Sequence, residues 1–279
     1  MSFLEAIILG IVQGLTEFLP VSSSAHVQIF SELMQVPGLS DKNSATTAFI
    51  ATIQLGTEAA VLIYFAKDIS RLLKAWFQGL FNSNKRNNVD YRMAWLVIIA
   101  SIPVGLIGYL LREFIQETVR TLWVVAFTMI IFAIILLLAD YYGKKQKGVE
   151  EMTFNTALGF GLGQALAVIP GVSRSGASIS FGLFAGFNRA AAARFSFLIG
   201  IPAVLASGLI EFKDSYQYLD SQALSGTLVA TITSFIVGYA VIAGLLKYLN
   251  KGSFMPFVIW RLIVGVALIV MLSNGWISA

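Results

Sequence analysis

The chain has 279 residues, 57% of them hydrophobic and only 12% charged, with a mean hydropathy of +0.79. A soluble domain carries about a quarter charged residues, so this composition excludes a water-coated globule and points to a membrane protein. Cysteine is absent and His26 is the one histidine, which excludes disulfides, thiolate sites and multi-histidine metal sites; the net charge of +4 is scattered over loops and gives no nucleic-acid footprint.

The N-terminal run lacks a basic leader region and carries Glu5, Gln13 and Glu17, so it does not read as a signal peptide. Residues 3–35 form an apolar stretch broken by Leu19–Ser24 (LPVSSS), and neither half is long enough for a comfortable crossing. Non-helical backbone at membrane depth survives only where protein or a wet cavity satisfies it, so this stretch is expected to be a re-entrant hairpin of two half-helices. A full span follows at about 47–66, then an amphipathic interfacial helix at 69–81, then spans at 93–111 and 121–140. Residues 154–187 repeat the broken pattern around Pro170–Gly176 (PGVSRSG), a second hairpin, before spans at 192–212, 227–246 and 256–273.

Of 19 Lys and Arg residues, 13 fall in four groups: Lys67 to Arg92, Lys144 to Lys147, Arg189 with Arg194, and Lys247 with Lys251. The alternate loops hold Lys42, Arg112, Arg120 and Lys213. The excess marks the first groups as cytoplasmic, which sends the first hairpin in from outside and the second from inside. A shift of 151 residues aligns Gly10–Ser24 with Gly161–Ser175 without a gap, with identities at Gly10/Gly161, Gln13/Gln164, Leu15/Leu166, Val21/Val172, Ser22/Ser173 and Ser24/Ser175. The expected fold is an all-α polytopic membrane protein, one integral domain over 1–279. It is an inverted-topology repeat (about 1–140 and 152–279) with six full transmembrane helices and two re-entrant hairpins, its site near the midplane.

Ionisable groups in apolar segments are functional hypotheses by default. They gather in the hairpins: Glu17 and His26 in the first, Arg174 in the second. Around them lie Ser22, Ser23, Ser24, Ser173, Ser175 and Ser178, with Gly171 and Gly176. Small residues let backbone N–H groups converge at a half-helix start, and Arg174 adds a planar donor fork, a combination suited to phosphate. Gln13 and Glu17 share a helix face at i, i+4 and either hold a hard divalent cation through oxygens or leave Glu17 as a base. A serine beside His26 has the minimum needed for an activated nucleophile or for protonating a leaving oxygen. Gln54 and Glu58 are also polar at membrane depth, and the sequence offers Glu58 no partner. Arg261, inside the last span, is expected to meet a carbonyl or carboxylate.

Two motifs, QGLTEFLPVSSSAH from Gln13 to His26 and PGVSRSGAS from Pro170 to Ser178, closely resemble the signatures of the bacterial undecaprenyl-diphosphatase, or bacitracin-resistance, family. The resemblance extends to IQLG at Ile53–Gly56, to RFSFL at Arg194–Leu198, to Ile201-Pro202-Ala203 and to Pro256-Phe257, so it covers nearly the whole chain. It implies hydrolysis of undecaprenyl diphosphate to undecaprenyl phosphate and inorganic phosphate, which recycles a cell-wall lipid carrier in the bacterial plasma membrane. The implied cofactor is Mg2+ or Ca2+, and the implied site opens outward. Bacitracin would compete by sequestering the substrate, and a homodimer stays open. By resemblance Glu17 is the motif's second acidic position, Ser23 its candidate nucleophile, attacking or positioning water, His26 its histidine and Arg174 its phosphate binder; the metal ligands expected are Glu17 and Gln13. The hydroxyls and loop glycines above, with Gln54, line the substrate. The family's first acidic position is often Glu but is Gln13 here, and Ser24 and Ser178 stand where threonine is common. The rival reading is a transporter or flippase of a lipid phosphate or small anion, since re-entrant repeats also build transporters.

Overall fold

The computed structural model describes residues 2–34, 44–111, 121–215 and 221–277. Lys42, Arg112 and Arg120 of the charge count lie outside these residues, as does the side chain of Lys213. Among the described residues the chain is helical and without strands: α1 (Phe3–Phe18), α2 (Ser23–Leu33), α3 (Ser44–Tyr64), α4 (Ala66–Phe81), α5 (Val89–Leu110), α6 (Leu122–Tyr142), α7 (Phe154–Ala165), α8 (Arg174–Phe184), α9 (Arg189–Ser215), α10 (Ser221–Leu249) and α11 (Met255–Ser273).

Among the described residues four helices are long and apolar enough to cross a membrane: α5, α6, α10 from Ser225 to Leu249, and α11. A fifth candidate joins α3 from Phe49 to α4, two helices bent by 71° at Phe65. Each of the six predicted spans thus falls on a helix, while length and composition mark four or five as crossings. The bend turns α4 away from α3, and its Leu73, Phe77 and Phe81 stay exposed beside charged Lys67, Arg71 and Lys74, as an interfacial helix requires. On α6, Phe127, Ile131, Ile134 and Leu138 form an exposed apolar stripe at helical spacing, and α11 exposes Ile259, Ile263, Val266 and Val270 likewise. Such stripes have no place in water and face lipid.

The two broken stretches each make a pair of short helices. α1 and α2 have 16 and 11 residues, and α7 and α8 have 12 and 11. At about 1.5 Å per residue, each falls short of the roughly 30 Å hydrocarbon core. The two breaks have the same shape. Ser22 (φ 75°) and Ser173 (φ 72°) both take the left-handed region immediately before the second helix. That conformation is uncommon for a residue with a Cβ and costs on the order of 1–3 kcal/mol, so surrounding contacts must enforce it. In both loops the flanking hydroxyls also pair, Ser22 with Ser24 and Ser173 with Ser175, each at 3.3 Å.

Helix packing keeps this pairing. α1 lies on α10 and α7 on α5; α3 lies on α10 and α9 on α5; α6 meets α11, and α3 meets α9. Gly10 and Gly161, aligned by the 151-residue shift, make the same close approach: a Cβ on Gly10 would meet the Ala230 carbonyl of α10, and one on Gly161 the Ala100 carbonyl of α5. Phe160 of α7 packs edge-on against Phe187 and Phe195, which ties the second hairpin to α9.

Candidate functional site

The two loops meet. Ser175 donates to the Leu19 carbonyl across the break at 3.2 Å. Arg261 of α11, with no exposure, is the larger tie. Its guanidinium donates to five carbonyls: Pro20 (3.2 Å) in the first loop, Gly171 (2.9 Å) and Val172 (3.1 Å) in the second, and Thr128 (3.3 Å) and Met129 (3.1 Å) of α6. Carbonyls, not a carboxylate, answer the sequence question about this residue. Gly171, at φ 87°, lies where a Cβ would collide with Thr128 and the Val125 carbonyl. Thr128 in turn donates to the Pro170 carbonyl at 2.7 Å.

The clamp brings the chemistry of both hairpins together. Arg174 Nη2 donates to Glu17 Oε1 at 2.9 Å, joining residues 157 positions apart. Arg174 Nη1 donates to the Gly200 carbonyl at 3.3 Å. Pro202 has no N–H to offer the Leu198 carbonyl, and in this loosened turn the next two carbonyls, Ile199 and Gly200, accept side-chain donors. A Cβ at position 200 would sit 3.1 Å from Arg174 Nη1, so glycine lets the guanidinium lie against the α9 backbone.

The other carboxylate oxygen, Glu17 Oε2, accepts from Gln13 Nε2 at 2.9 Å, and the same amide reaches Thr57 Oγ1 at 3.5 Å. Glu58 enters from α3, with Oε1 3.7 Å from Arg174 Nη2. Gln54, half-buried one turn earlier, takes part through its carbonyl, which accepts from Thr57. Among the described residues no three His, Cys, Asp or Glu side chains converge. The donors on hand are oxygens: Glu17, Glu58 and the amide oxygen of Gln13. That set suits a hard cation such as Mg2+ or Ca2+ rather than a transition metal, with the remaining ligands left to phosphate and water.

Ser23 and Arg174 are equivalent positions under the 151-residue shift, each the first residue of a half-helix. Ser23 is partly exposed, and among the described residues its hydroxyl has no hydrogen-bond partner. Three residues on, the His26 ring is fixed at both nitrogens. Nε2 lies 2.7 Å from the indole Nε1 of Trp260, which can only donate, so Nε2 is the bare nitrogen. Nδ1 therefore carries the proton and donates to the Ser22 carbonyl at 2.8 Å. Ser173 caps α8 through the Gly176 N–H at 3.1 Å. Ser178, fully buried, turns inward and bonds the Arg174 carbonyl and Ser196. Trp260, Thr57 and Gly200 carry no motif signal; the tryptophan adjoining Arg261 in an apolar span was the one available hint.

Residues 6–267 match the model of a family described as "Bacitracin resistance protein BacA". The chain is 50% identical over 281 residues to undecaprenyl-diphosphatase 1 of Corynebacterium jeikeium (strain K411), covering 100% of this chain and 98% of the relative. It is 47% identical over 279 residues to the undecaprenyl-diphosphatase of Clavibacter michiganensis subsp. michiganensis (strain NCPPB 382), covering all of both chains. It is 46% identical over 282 residues to that of Mycolicibacterium smegmatis (strain ATCC 700084 / mc(2)155), again covering both in full.

Proposed function

The chain belongs to the bacitracin resistance protein BacA family, and from that premise we propose that it hydrolyses undecaprenyl diphosphate to undecaprenyl phosphate and inorganic phosphate. The observation that carries the reading is the meeting of Arg174 and Glu17, from two different hairpins, at 2.9 Å, with the partnerless hydroxyl of Ser23 at the equivalent helix start. A transporter of lipid phosphate needs an anion site but no free nucleophile.

The isoprenoid tail lies along the apolar helices while the diphosphate enters between the two loops. Arg174 and the N–H groups at the α2 and α8 starts hold phosphate oxygens and stabilise the charge that develops on them. Ser23 Oγ attacks the terminal phosphorus as the bond to the bridging oxygen breaks, which releases undecaprenyl phosphate. The hydroxyl proton passes to His26 Nε2, whose tautomer is set by the Nδ1–H bond to the Ser22 carbonyl. Water then cleaves the phosphoserine to free phosphate. Glu17 and the Gln13 amide oxygen would hold a Mg2+ or Ca2+ ion, which would supply positive charge to the diphosphate.

The chain is read as an inverted repeat in the plasma membrane with two re-entrant hairpins and the site open to the outer face; the positions of the basic groups and the paired loop geometries support this. Bacitracin competes for the diphosphate rather than for the protein.

Purified protein in detergent, where transport cannot be scored, is expected to release phosphate from undecaprenyl diphosphate and to carry labelled phosphate on Ser23 after rapid quenching. Ser23→Ala should lose the label and at least about 10²-fold in rate; a wild-type rate in that variant rules the serine out as nucleophile. His26→Ala should cost about 10²–10⁴-fold, the usual worth of a positioned proton carrier. Trp260→Phe frees Nε2 and should stay within a few-fold of wild type, because the indole must leave before the ring can take a proton. Equal losses in the two variants would make His26 a brace.

A further inference from the structure

One turn before Glu17 on α1, at a position that is often Glu in the resembled motif, this chain carries the neutral Gln13. The structure shows that amide presenting N–H to Glu17 Oε2 at 2.9 Å, so α1 carries a single negative charge into the site. One helix away, Glu58 of α3 is 1% exposed, and among the described residues neither Oε1 nor Oε2 has a hydrogen-bond partner. The nearest cation, Arg174 Nη2, stands at 3.7 Å, beyond hydrogen-bond reach, because at 2.9 Å it already serves Glu17. The neighbouring Thr57 hydroxyl donates to the Gln54 carbonyl, and Gln13 is spent on Glu17 and Thr57.

A carboxylate removed from water costs several kcal/mol unless charge and hydrogen bonds compensate it. Here two carboxylates share one guanidinium, so with both ionised the buried cluster carries an excess negative charge. A diphosphate brought to that cluster would meet repulsion. A divalent cation removes both difficulties, since its charge exceeds the deficit and it binds carboxylate oxygens directly.

We propose that Glu58 is the second carboxylate ligand of the site's divalent cation, so that α3 supplies the carboxylate that Gln13 does not. The assignment rests on the phosphatase reading for the anion the cation accompanies, but cation binding is measured without it.

The test uses the purified full chain in detergent, titrated with Mn2+ alone and followed by electron paramagnetic resonance. Glu58→Gln keeps the shape and removes an unpaired buried charge, so its thermal unfolding midpoint should equal or exceed that of wild type. Its Mn2+ affinity should fall at least about 10-fold. Adding Gln13→Glu to that variant returns a carboxylate to α1 and should restore affinity to within a few-fold. Glu58→Asp, which keeps the charge but withdraws it by one methylene, should bind between the two. Unchanged Mn2+ affinity in Glu58→Gln, or no rescue by Gln13→Glu in a folded double variant, overturns the assignment. If the affinities follow the expected pattern while wild type releases no phosphate from undecaprenyl diphosphate, the ligand assignment stands and the phosphatase reading falls. If release is normal and Mn2+ binding ignores position 58, the reverse holds.

Discussion

Arg174→Ala is expected to lower kcat/KM for undecaprenyl diphosphate by at least about 10³-fold, the scale on which an arginine acts on a transferring phosphoryl group. The guanidinium is fixed by Glu17 at 2.9 Å and by the Gly200 carbonyl at 3.3 Å, which leaves its other N–H groups for phosphate oxygens. A lysine cannot reproduce that fork, so Arg174→Lys should recover little of the loss. The thermal midpoint must be measured alongside, because truncation also strips Glu17 of its charge partner in a side chain only 6% exposed. A folded Arg174→Ala protein within tenfold of the wild-type rate would remove this residue from the chemistry.

Arg261→Ala should fail earlier, at folding. The loop carbonyls of Pro20, Gly171 and Val172 lose this donor, and each buried acceptor left unsatisfied costs about 1–3 kcal/mol, whereas Thr128 and Met129 keep the amides of their own helix. The sum, about 3–9 kcal/mol, is a large share of the stability of an ordinary domain, about 5–15 kcal/mol. The expected result is loss of the monodisperse species in detergent, or a large drop in melting temperature with phosphate release abolished. Arg261→Lys, a point donor, should be only partly better. An Arg261→Ala protein that purifies and melts as wild type would show that the loops hold themselves.

The helices and the two breaks were legible because they are local. Leu19–Val21 and Ile169–Val172 fall between helices as the Pro/Gly/Ser clusters predict, and apolar runs of sufficient length can only be helices in lipid. Glu17, Ser23, His26 and Arg174 stood out because polar groups at membrane depth are few. What escaped was tertiary. Trp260 reaches His26 across 234 positions, and Arg261 reaches Pro20 across 241. The acceptors of Arg261 are backbone carbonyls, which every residue has and which leave no mark in a sequence. Left-handed serines were equally hidden, since Ser22 and Ser173 take a conformation their residue type disfavours. Glu58 was visible as an oddity and became interpretable only when α3 placed it beside Arg174.

The Arg261 clamp also sets an order of events during biosynthesis. All five of its acceptors, from Pro20 to Val172, leave the ribosome before the arginine does. Until α11 threads into the bilayer, both loops carry carbonyls that lipid cannot satisfy, and only the Ser175–Leu19 bond and the Arg174–Glu17 pair join the halves of the site. A nascent chain stopped short of Arg261 therefore lacks the donor shared by Pro20, Gly171 and Val172, and the clamp closes only with the insertion of the last helix.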